Sequence, residues 1–556
     1  MRALIVVTKF GYPGTSSRPE IFPQGPAYVA GALEAAGHQV FGCNMSYALT
    51  KGDGPSLLFR ALARSIAECR PEIICLGGLS ADYLFISHAI AACRRLAPQI
   101  PVVLGGGIVT SDRSYVMADL KPDFSISGDA EIPVVELLAA LQAGGGFEHI
   151  LGLGFWRDGQ AVFNLSRPES KQLPDYARPS YDALGIEDFF QASGHAHAWH
   201  LTAYQPRPRV FPISAGRSCP FRCTFCFHST GSVYKQRPIP DVLAEIQYFH
   251  DKYRFNFLLV YDELFSVREA RVREFCDGIR SLKLDFKWSA SMRVPDVHED
   301  LLRDMKDAGC ALVGVGLESA SDTVLHSMKK KITKAQIVSA VDASVRAGLV
   351  LQGNFIFGDP AETEETIRET MAFTREYRDR MILNVGTIKP FPGSPIFDDA
   401  AARGLIPDKA VYYGDPRIPY NMTSMPTETF DRLVAEAEKE HLSGLAKGSV
   451  IPQLYLVSQP PGTFDEFRRT SLVVLVVCPH CESAADRVLD YPGDIQDIVD
   501  GRYGELQEHI DSYRHFVCPE CGQQSAFRIG RPDLKLHPVF CDAGTIPPYG
   551  RLADAG

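Results

Sequence analysis

Apolar and polar positions in the first part of the chain follow two alternating periods. RALIVVT is a continuous apolar run of strand length, and PAYVAGALEAAGHQV carries helical spacing that runs into a second strand; EIICLGGL and PVVLGGG are further buried strands with amphipathic segments between them. Strands alternating with helices predict an α/β domain with a parallel, doubly wound sheet over residues 1–165. Such sheets take ligands at the carboxyl ends of their strands. The glycines gather there: Gly77 and Gly78 after one strand, Gly105, Gly106 and Gly107 after the next, and Gly128 after DFSIS. Three successive strand ends without side chains let a large, flat ligand approach the backbone. The same glycines also suit ordinary strand-to-helix turns.

The periodicity lapses over residues 166–209, where LPDYARPSYDALGIEDFF reads as an interdomain linker. A second series then begins. RVFPISA, FNFLLVYD, DFKWSAS, ALVGVGLE, LQGNFIFG and ILNVGTIKP read as strands separated by helical segments, which predicts an open or partial (β/α)6 barrel over residues 210–400. Barrel chemistry sits at the carboxyl ends of the strands. Asp262, Glu263, Arg293, Glu318 and Glu362 all fall at or just after such ends, followed by a helical extension over 401–450.

Composition fits this plan and narrows the setting. A chain of 556 residues is long enough for about three or four domains. A net charge of -10 gives no general attraction to phosphate backbones or anionic lipid, so nucleic acid is not an expected partner. The opening MRALIVVTKFGYPG lacks the apolar region and cleavage site of a signal peptide, and no apolar run reaches the roughly 20 residues of a membrane span. The expected location is cytoplasmic, where the 14 cysteines are reduced thiols or metal ligands. Cys43, Cys69, Cys75, Cys93, Cys276 and Cys310 lie singly in apolar or helical surroundings and read as small buried hydrophobes.

Three others do not. SAGRSCPFRCTFCFHSTG places Cys219, Cys223 and Cys226 on one loop directly after the first barrel strand. Thiolates are the ligands of iron-sulfur clusters. A cubane has four irons, so three thiols leave one iron open to chelate a small molecule. A zinc site with His228 as the fourth ligand is the competing reading of the spacing.

This Cys-x3-Cys-x2-Cys loop resembles the signature of the radical S-adenosylmethionine superfamily, and the resemblance continues through VYDELF, SMR, GVGLESASDTVLHSMKKK, GNFIFGDPAETEET and KPFPGSPIFDDA. It implies a [4Fe-4S] cluster on the three thiols and S-adenosylmethionine contacts from Asp262, Glu263, Arg293, Glu318, Ser319, Gly353 and Glu362. The N-terminal domain is similar to the flavodoxin-like (Rossmann-like) cobalamin-binding domain that precedes the barrel in one large subgroup, which implies cobalamin contacts from Gly77, Gly78, Ser80, Gly105, Gly106, Gly107, Thr110, Gly128 and Glu131. The Asp-x-His-x-x-Gly motif is absent, as is usual in this subgroup, which implies that no protein histidine takes the lower axial site of cobalt.

Further along, VVLVVCPHC and HFVCPECG place Cys478, Cys481, Cys518 and Cys521 as two Cys-x2-Cys pairs, the ligand set of a closed zinc site in a zinc-ribbon-like module over 451–556. An auxiliary iron-sulfur cluster and a metal-free pair of turns are the alternatives. The resemblance as a whole implies a cobalamin-dependent radical enzyme, most often a methyltransferase acting on an unactivated carbon or phosphinate phosphorus of a small molecule or peptide, with a flavodoxin- or ferredoxin-type electron donor. Radical rearrangement, cyclisation or ring contraction without methyl transfer is one alternative, and a non-enzymatic metal-binding regulator is another. Methylthio transfer is a third, though that subgroup normally has a different N-terminal domain.

Overall fold

The long apolar runs become central strands. In the computed structural model the described residues are 1–9, 12, 22–45, 54–171, 173, 176–193, 209–231, 233–378, 380–406, 408–414 and 420–445, with the strand backbones 454–458, 470–477, 484–491, 514–517, 524–527 and 536–540. Strands β1 (Arg2–Val7), β2 (Gln39–Asn44), β3 (Ile73–Gly77), β4 (Val102–Gly105), β5 (Phe124–Ile126), β6 (Leu153–Arg157) and β7 (Gln160–Phe163) form one sheet in the order β2-β1-β3-β4-β5-β6-β7. The first five strands are parallel as expected, and β6 and β7 extend the sheet antiparallel. Helices α1 (Gln24–Ala35) and α5 (Glu131–Ala143) cover one face; α2 (Gly54–Cys69), α3 (Tyr83–Leu96) and α4 (Gly107–Leu120) cover the other. With both faces covered, β1 is apolar at every buried position from Ala3 to Val7.

The stretch after this sheet is more than a tether. It carries a 3-10 turn at Asp182–Leu184 and α6 (Ile186–Ser193), and Tyr181, Leu184, Phe189 and Phe190 are buried. Tyr181 packs edge-on against Phe22 of the first domain and against Phe211 and Phe249 of the second, with ring centroids 5.1 to 5.4 Å apart. The sequence shows proline and aspartate here and reads as a linker, but its aromatics fuse the two cores.

The second domain is the expected six-stranded parallel sheet. Its strands are β8 (Val210–Ile213), β11 (Phe257–Val260), β12 (Lys287–Met292), β13 (Cys310–Glu318), β14 (Val350–Phe357) and β15 (Ile382–Thr387), ordered β15-β14-β13-β12-β11-β8. A two-stranded ribbon of β9 (Gly216–Arg217) and β10 (Lys235–Gln236) follows β8. Helices α7 (Ile239–Tyr253), α8 (Glu269–Leu282), α9 (Glu299–Asp307), α10 (Asp322–Ser327), α11 (Lys334–Ala347) and α12 (Glu364–Tyr377) lie between the strands. Local signals set their ends: Thr333 and Gln336 form a capping box at the start of α11, and Gly348 ends it with φ +63°.

Helices α13 (Pro395–Ala402), α14 (Lys409–Gly414) and α15 (Thr427–Leu445) follow the barrel, and α14 returns to the first domain. Tyr413 stacks on Tyr83 and Tyr115, and Lys409 bonds Asp112 at 2.6 Å, where α4 is broken. Beyond these lie β16 (Leu454–Ser458), β17 (Thr470–Val477), β18 (Ala484–Tyr491), β19 (Arg514–Val517), β20 (Gln524–Phe527) and β21 (Leu536–Phe540). Cys478, Cys481, Cys518 and Cys521 lie outside the described residues. Cys43, Cys69, Cys75, Cys93, Cys276 and Cys310 are buried as expected.

Candidate active site

The loop after β8 carries the three thiols from a narrow neck. Arg217 and Lys235 are register partners in the β9–β10 ribbon, so all three cysteines lie between two paired residues. Ser218 at the neck has φ +66° and donates its hydroxyl to the Gly231 carbonyl at 2.7 Å. Cys223 is buried; Cys219 and Cys226 are half-buried. The Cys226 thiol hydrogen bonds to Cys223, which lowers the Cys223 pKa to about 6, with Lys330 and Arg293 adding favourable charge, and the same contact raises Cys226. Burial raises Cys219.

Among the described residues no three His, Cys, Asp or Glu side chains converge as they would around one ion. A cubane instead takes one thiolate per iron, so three separate thiols on a loop fit it. His228 Nδ1 lies 2.9 Å from Glu263 Oε2 and its Nε2 3.2 Å from the Phe221 carbonyl, so both nitrogens face acceptors. The Glu263 hydrogen bond raises its pKa, against burial. A metal ion on His228 would displace one of these two contacts.

The barrel carboxylates divide into two groups. Glu263 and Glu318 lie beside the cluster loop. Glu318, at φ +63° on a β-bulge, pairs with Lys330 Nζ at 2.6 Å, and both side chains are nearly buried. A Cβ at Gly316 would fall 2.1 Å from Glu318 Oε1 and 2.6 Å from Lys330 Nζ, so only glycine leaves room for this pair. Arg293 donates to the Lys330 carbonyl at 2.9 Å and lies 3.5 Å over the Phe221 ring of the cluster loop. Lys330 and Arg293 thus place positive charge near Cys223, with Glu318 opposing it.

The second group supports from beneath. Asp262 is buried and accepts from the Ala215 amide at 2.8 Å, bracing the start of the cluster loop, and burial raises its pKa to about 7. Glu362 is fully buried, accepts from the Gly358 amide at 2.5 Å, and is raised by burial to about 8. Ser319 is fully buried against Thr370, with the two hydroxyl oxygens 3.2 Å apart. At Gly353 a Cβ would meet Leu317 at 2.5 Å and Met381 at 3.1 Å, so that glycine serves strand packing. The sequence shows these positions as strand ends without showing which way each faces.

The N-terminal sheet presents the other half of the site. Gly77 and Gly105 are register neighbours at the ends of β3 and β4. Gly106 has φ +84°, and a Cβ there would lie 2.7 Å from the Gly78 carbonyl, so the turn requires glycine. Ser80 is buried in the turn after β3, whereas Leu79 is 51% exposed. Thr110 Oγ1 accepts from the Gly128 amide at 3.0 Å, and a Cβ at Gly128 would meet open space. The Glu131 side chain, a residue expected at the cobalamin face, is 5% exposed and accepts from Arg217 at 2.5 Å.

The two halves meet at Phe227, the residue after the third thiol. A Cβ at Gly107 would lie 3.1 Å from its ring and one at Gly393 2.8 Å from it, so two glycines make room for this aromatic. Sequence reasoning missed Phe227, Arg217, Lys235, Asp129 and Lys330; all but Lys235 sit inside segments already singled out, but their partners lie in other domains or later loops.

Comparison with known proteins agrees with this arrangement. The B12 binding domain family matches residues 14–138 and the Radical SAM superfamily matches residues 213–374. The chain is 28% identical over 391 residues, 69% of its length and 79% of the relative's, to the uncharacterized methyltransferase PH0819 of Pyrococcus horikoshii. It is 24% identical over 409 residues, 72% of its length and 63% of the relative's, to the anaerobic magnesium-protoporphyrin IX monomethyl ester cyclase of Cereibacter sphaeroides. The fold is similar to the radical S-adenosylmethionine methyltransferase TsrM of Kitasatospora setae, solved with cobalamin and a [4Fe-4S] cluster, at a TM-score of 0.58 and 18% identity, covering 72% of this chain and 78% of that one. Both cofactor domains are matched in the order in which the glycine face and the thiol loop occur, and in both the chain is similar to cobalamin-dependent radical S-adenosylmethionine enzymes.

Proposed function

We propose that the chain is a methyltransferase that places a methyl group on an unactivated carbon, or a phosphinate phosphorus, of a small molecule or peptide. The observation that carries this reading is the contact at Phe227, which sets the thiol loop directly against the glycine turn after β4. When bound, the cluster with S-adenosylmethionine supplies a radical that removes hydrogen from a strong bond, and cobalamin supplies the methyl group. Cys219, Cys223 and Cys226 would hold the cluster; Glu263, Arg293 and Glu318 would hold S-adenosylmethionine at the barrel mouth. The backbone at Gly77, Gly78, Gly105, Gly106, Gly107 and Gly128 would receive cobalamin, with no histidine of this chain on cobalt.

The chain's own groups prepare the site before any cofactor arrives. Lys330 and Arg293 offset the negative charge of the thiolates. Asp262 and Glu362 fix the backbone of two strand ends. Leu79 and Phe227 present apolar surface at the junction, which keeps water from a reactive centre. The Cys-x2-Cys pairs that begin after β17 and β19 would close a zinc-ribbon-like structural zinc site. A flavodoxin- or ferredoxin-type donor in the cytoplasm would supply electrons.

Similarity to the cyclase favours one second reading, radical bond formation without methyl transfer. Methyl-deuterated S-adenosylmethionine separates the two. The reduced, cofactor-loaded chain, given low-molecular-weight and peptide fractions of cell extract, is expected to put label into a product, with 5'-deoxyadenosine and S-adenosylhomocysteine in about equal amounts. Substrate consumption with 5'-deoxyadenosine alone would establish the second reading.

A further inference from the structure

The neck of the thiol loop is clamped by the other domain. Arg217 and Lys235, side by side in the ribbon, both reach Asp129, at 2.8 and 2.6 Å, and Arg217 also reaches Glu131 at 2.5 Å. All four side chains are 5 to 12% exposed, so this is a desolvated network of two cations and two anions rather than a surface pairing. Burial acts to raise the Asp129 pKa, but Arg217 and Lys235 outweigh it and hold Asp129 charged. The Arg217 guanidinium also lies 4.7 Å over Tyr28 of α1 and 5.1 Å over Tyr176. Among the described residues, these partners of the guanidinium belong to the N-terminal domain or to the segment joining the domains.

On one side, this network continues into the glycine face. Asp129 follows Gly128, whose amide is held by Thr110, and the Thr110 hydroxyl in turn donates to the Gly106 carbonyl at 3.3 Å. On the other side it continues into the thiol loop. Arg217 is followed by Ser218, whose left-handed conformation at φ +66° persists only where its surroundings hold it, and Ser218 is followed by Cys219. From Gly106 to Cys219 the path is made of hydrogen bonds, one buried ion network and short covalent steps.

We propose that Arg217 is a positioning residue through which cobalamin binding and cluster binding are coupled: ordering the Gly106–Thr110–Gly128 face fixes Asp129 and Glu131, and these fix the neck from which the three thiols project. This rests on the reading that the chain binds both cofactors. A coupling of this kind is reciprocal in affinity. A ligand that orders shared structure lowers the cost of ordering it for the next.

The test uses the full chain and hydroxocobalamin. Affinity for hydroxocobalamin, read by absorbance titration, is expected to be about tenfold tighter in cluster-loaded than in cluster-free protein. The cluster of the loaded chain is expected to survive an iron chelator several-fold longer when hydroxocobalamin is present. Asp129→Asn, nearly isosteric, and Arg217→Lys, which keeps the charge but loses the two-carboxylate fork, should each bind both cofactors while reducing both factors toward one. Equal affinities with and without cluster in the wild-type chain would overturn the coupling and leave the functional reading standing. Full coupling retained in both variants would overturn the role of the network. Failure of the wild-type chain to take up any hydroxocobalamin would overturn this proposal and the functional reading together.

Discussion

The two halves of the site are built from different materials. The N-terminal face is backbone: glycines at the ends of β3 and β4 and at Gly128, with Thr110 tying two of the turns together. The barrel face is side chain: three thiols, the Glu318–Lys330 pair, Arg293 over Phe221, and His228 held by Glu263. A backbone face suits a broad ring that needs close approach and few charges. A side-chain face suits a small charged cluster and a sulfonium that need specific ligands and a tuned field. The difference also predicts how each half fails, since the barrel half should fail by lost ligands and stranded charge and the N-terminal half by lost space.

The largest effect is on the barrel side. Replacing Cys219, Cys223 and Cys226 together with alanine should remove the cluster entirely, read as loss of its visible absorbance and of S-adenosylmethionine cleavage. Next, Lys330→Met strands Glu318 in a site where both side chains are nearly buried; a broken buried pair costs about 3–5 kcal/mol, visible in urea unfolding. On the glycine side, Gly107→Val pushes a side chain into Leu79 and Phe227 and should cost about 1–3 kcal/mol, with cobalamin affinity falling and most of the iron content of the cobalamin-free chain retained. If iron content falls with it, the two halves are less distinct in their failure than their construction implies.

The smallest effect is a pH slope. Burial raises Glu362 to about 8, far above the roughly 4.3 of an unfolded chain. Between those values the folded state holds a proton that the unfolded state has lost, so stability falls as pH rises through this window and levels off above about 8. Glu362→Gln keeps an acceptor for the Gly358 amide and should flatten the slope between pH 6 and 7 by about 1.4 kcal/mol. Asp262, raised in the same direction, keeps its share of the slope. An unchanged slope would show that Glu362 is ionised in the folded state.

The contrast between halves is also a contrast in legibility. The parallel strands of both sheets follow from apolar runs and helical spacing, because a parallel strand covered on both faces is apolar along its length, whereas the antiparallel β6 and β7 carry no such signal. The thiol loop is legible because its ligands are adjacent in sequence. The orientation of Asp262, Ser319 and Glu362 is not, since each follows a strand where one residue of shift decides which way it faces, and Gly353 lies mid-strand, where its packing against Leu317 and Met381 is a tertiary fact. Glu131 is legible as an acid in the right turn, but its partner Arg217 lies 86 residues away. The stretch 166–209 misleads for the opposite reason: its prolines are local signals, whereas the packing of Tyr181 is a tertiary fact.

That the two halves hold their cofactors against each other is the central claim, and electron spin relaxation tests it most directly. The chain is loaded with cluster and cob(II)alamin, and the relaxation of the cobalt signal is measured before and after one-electron reduction makes the cluster paramagnetic. With Phe227 bridging the two faces, reduction should speed cobalt relaxation markedly, and the Cys219, Cys223, Cys226 alanine variant should show no change. Cobalt relaxation in the fully loaded wild-type chain that is indifferent to cluster reduction would contradict the account.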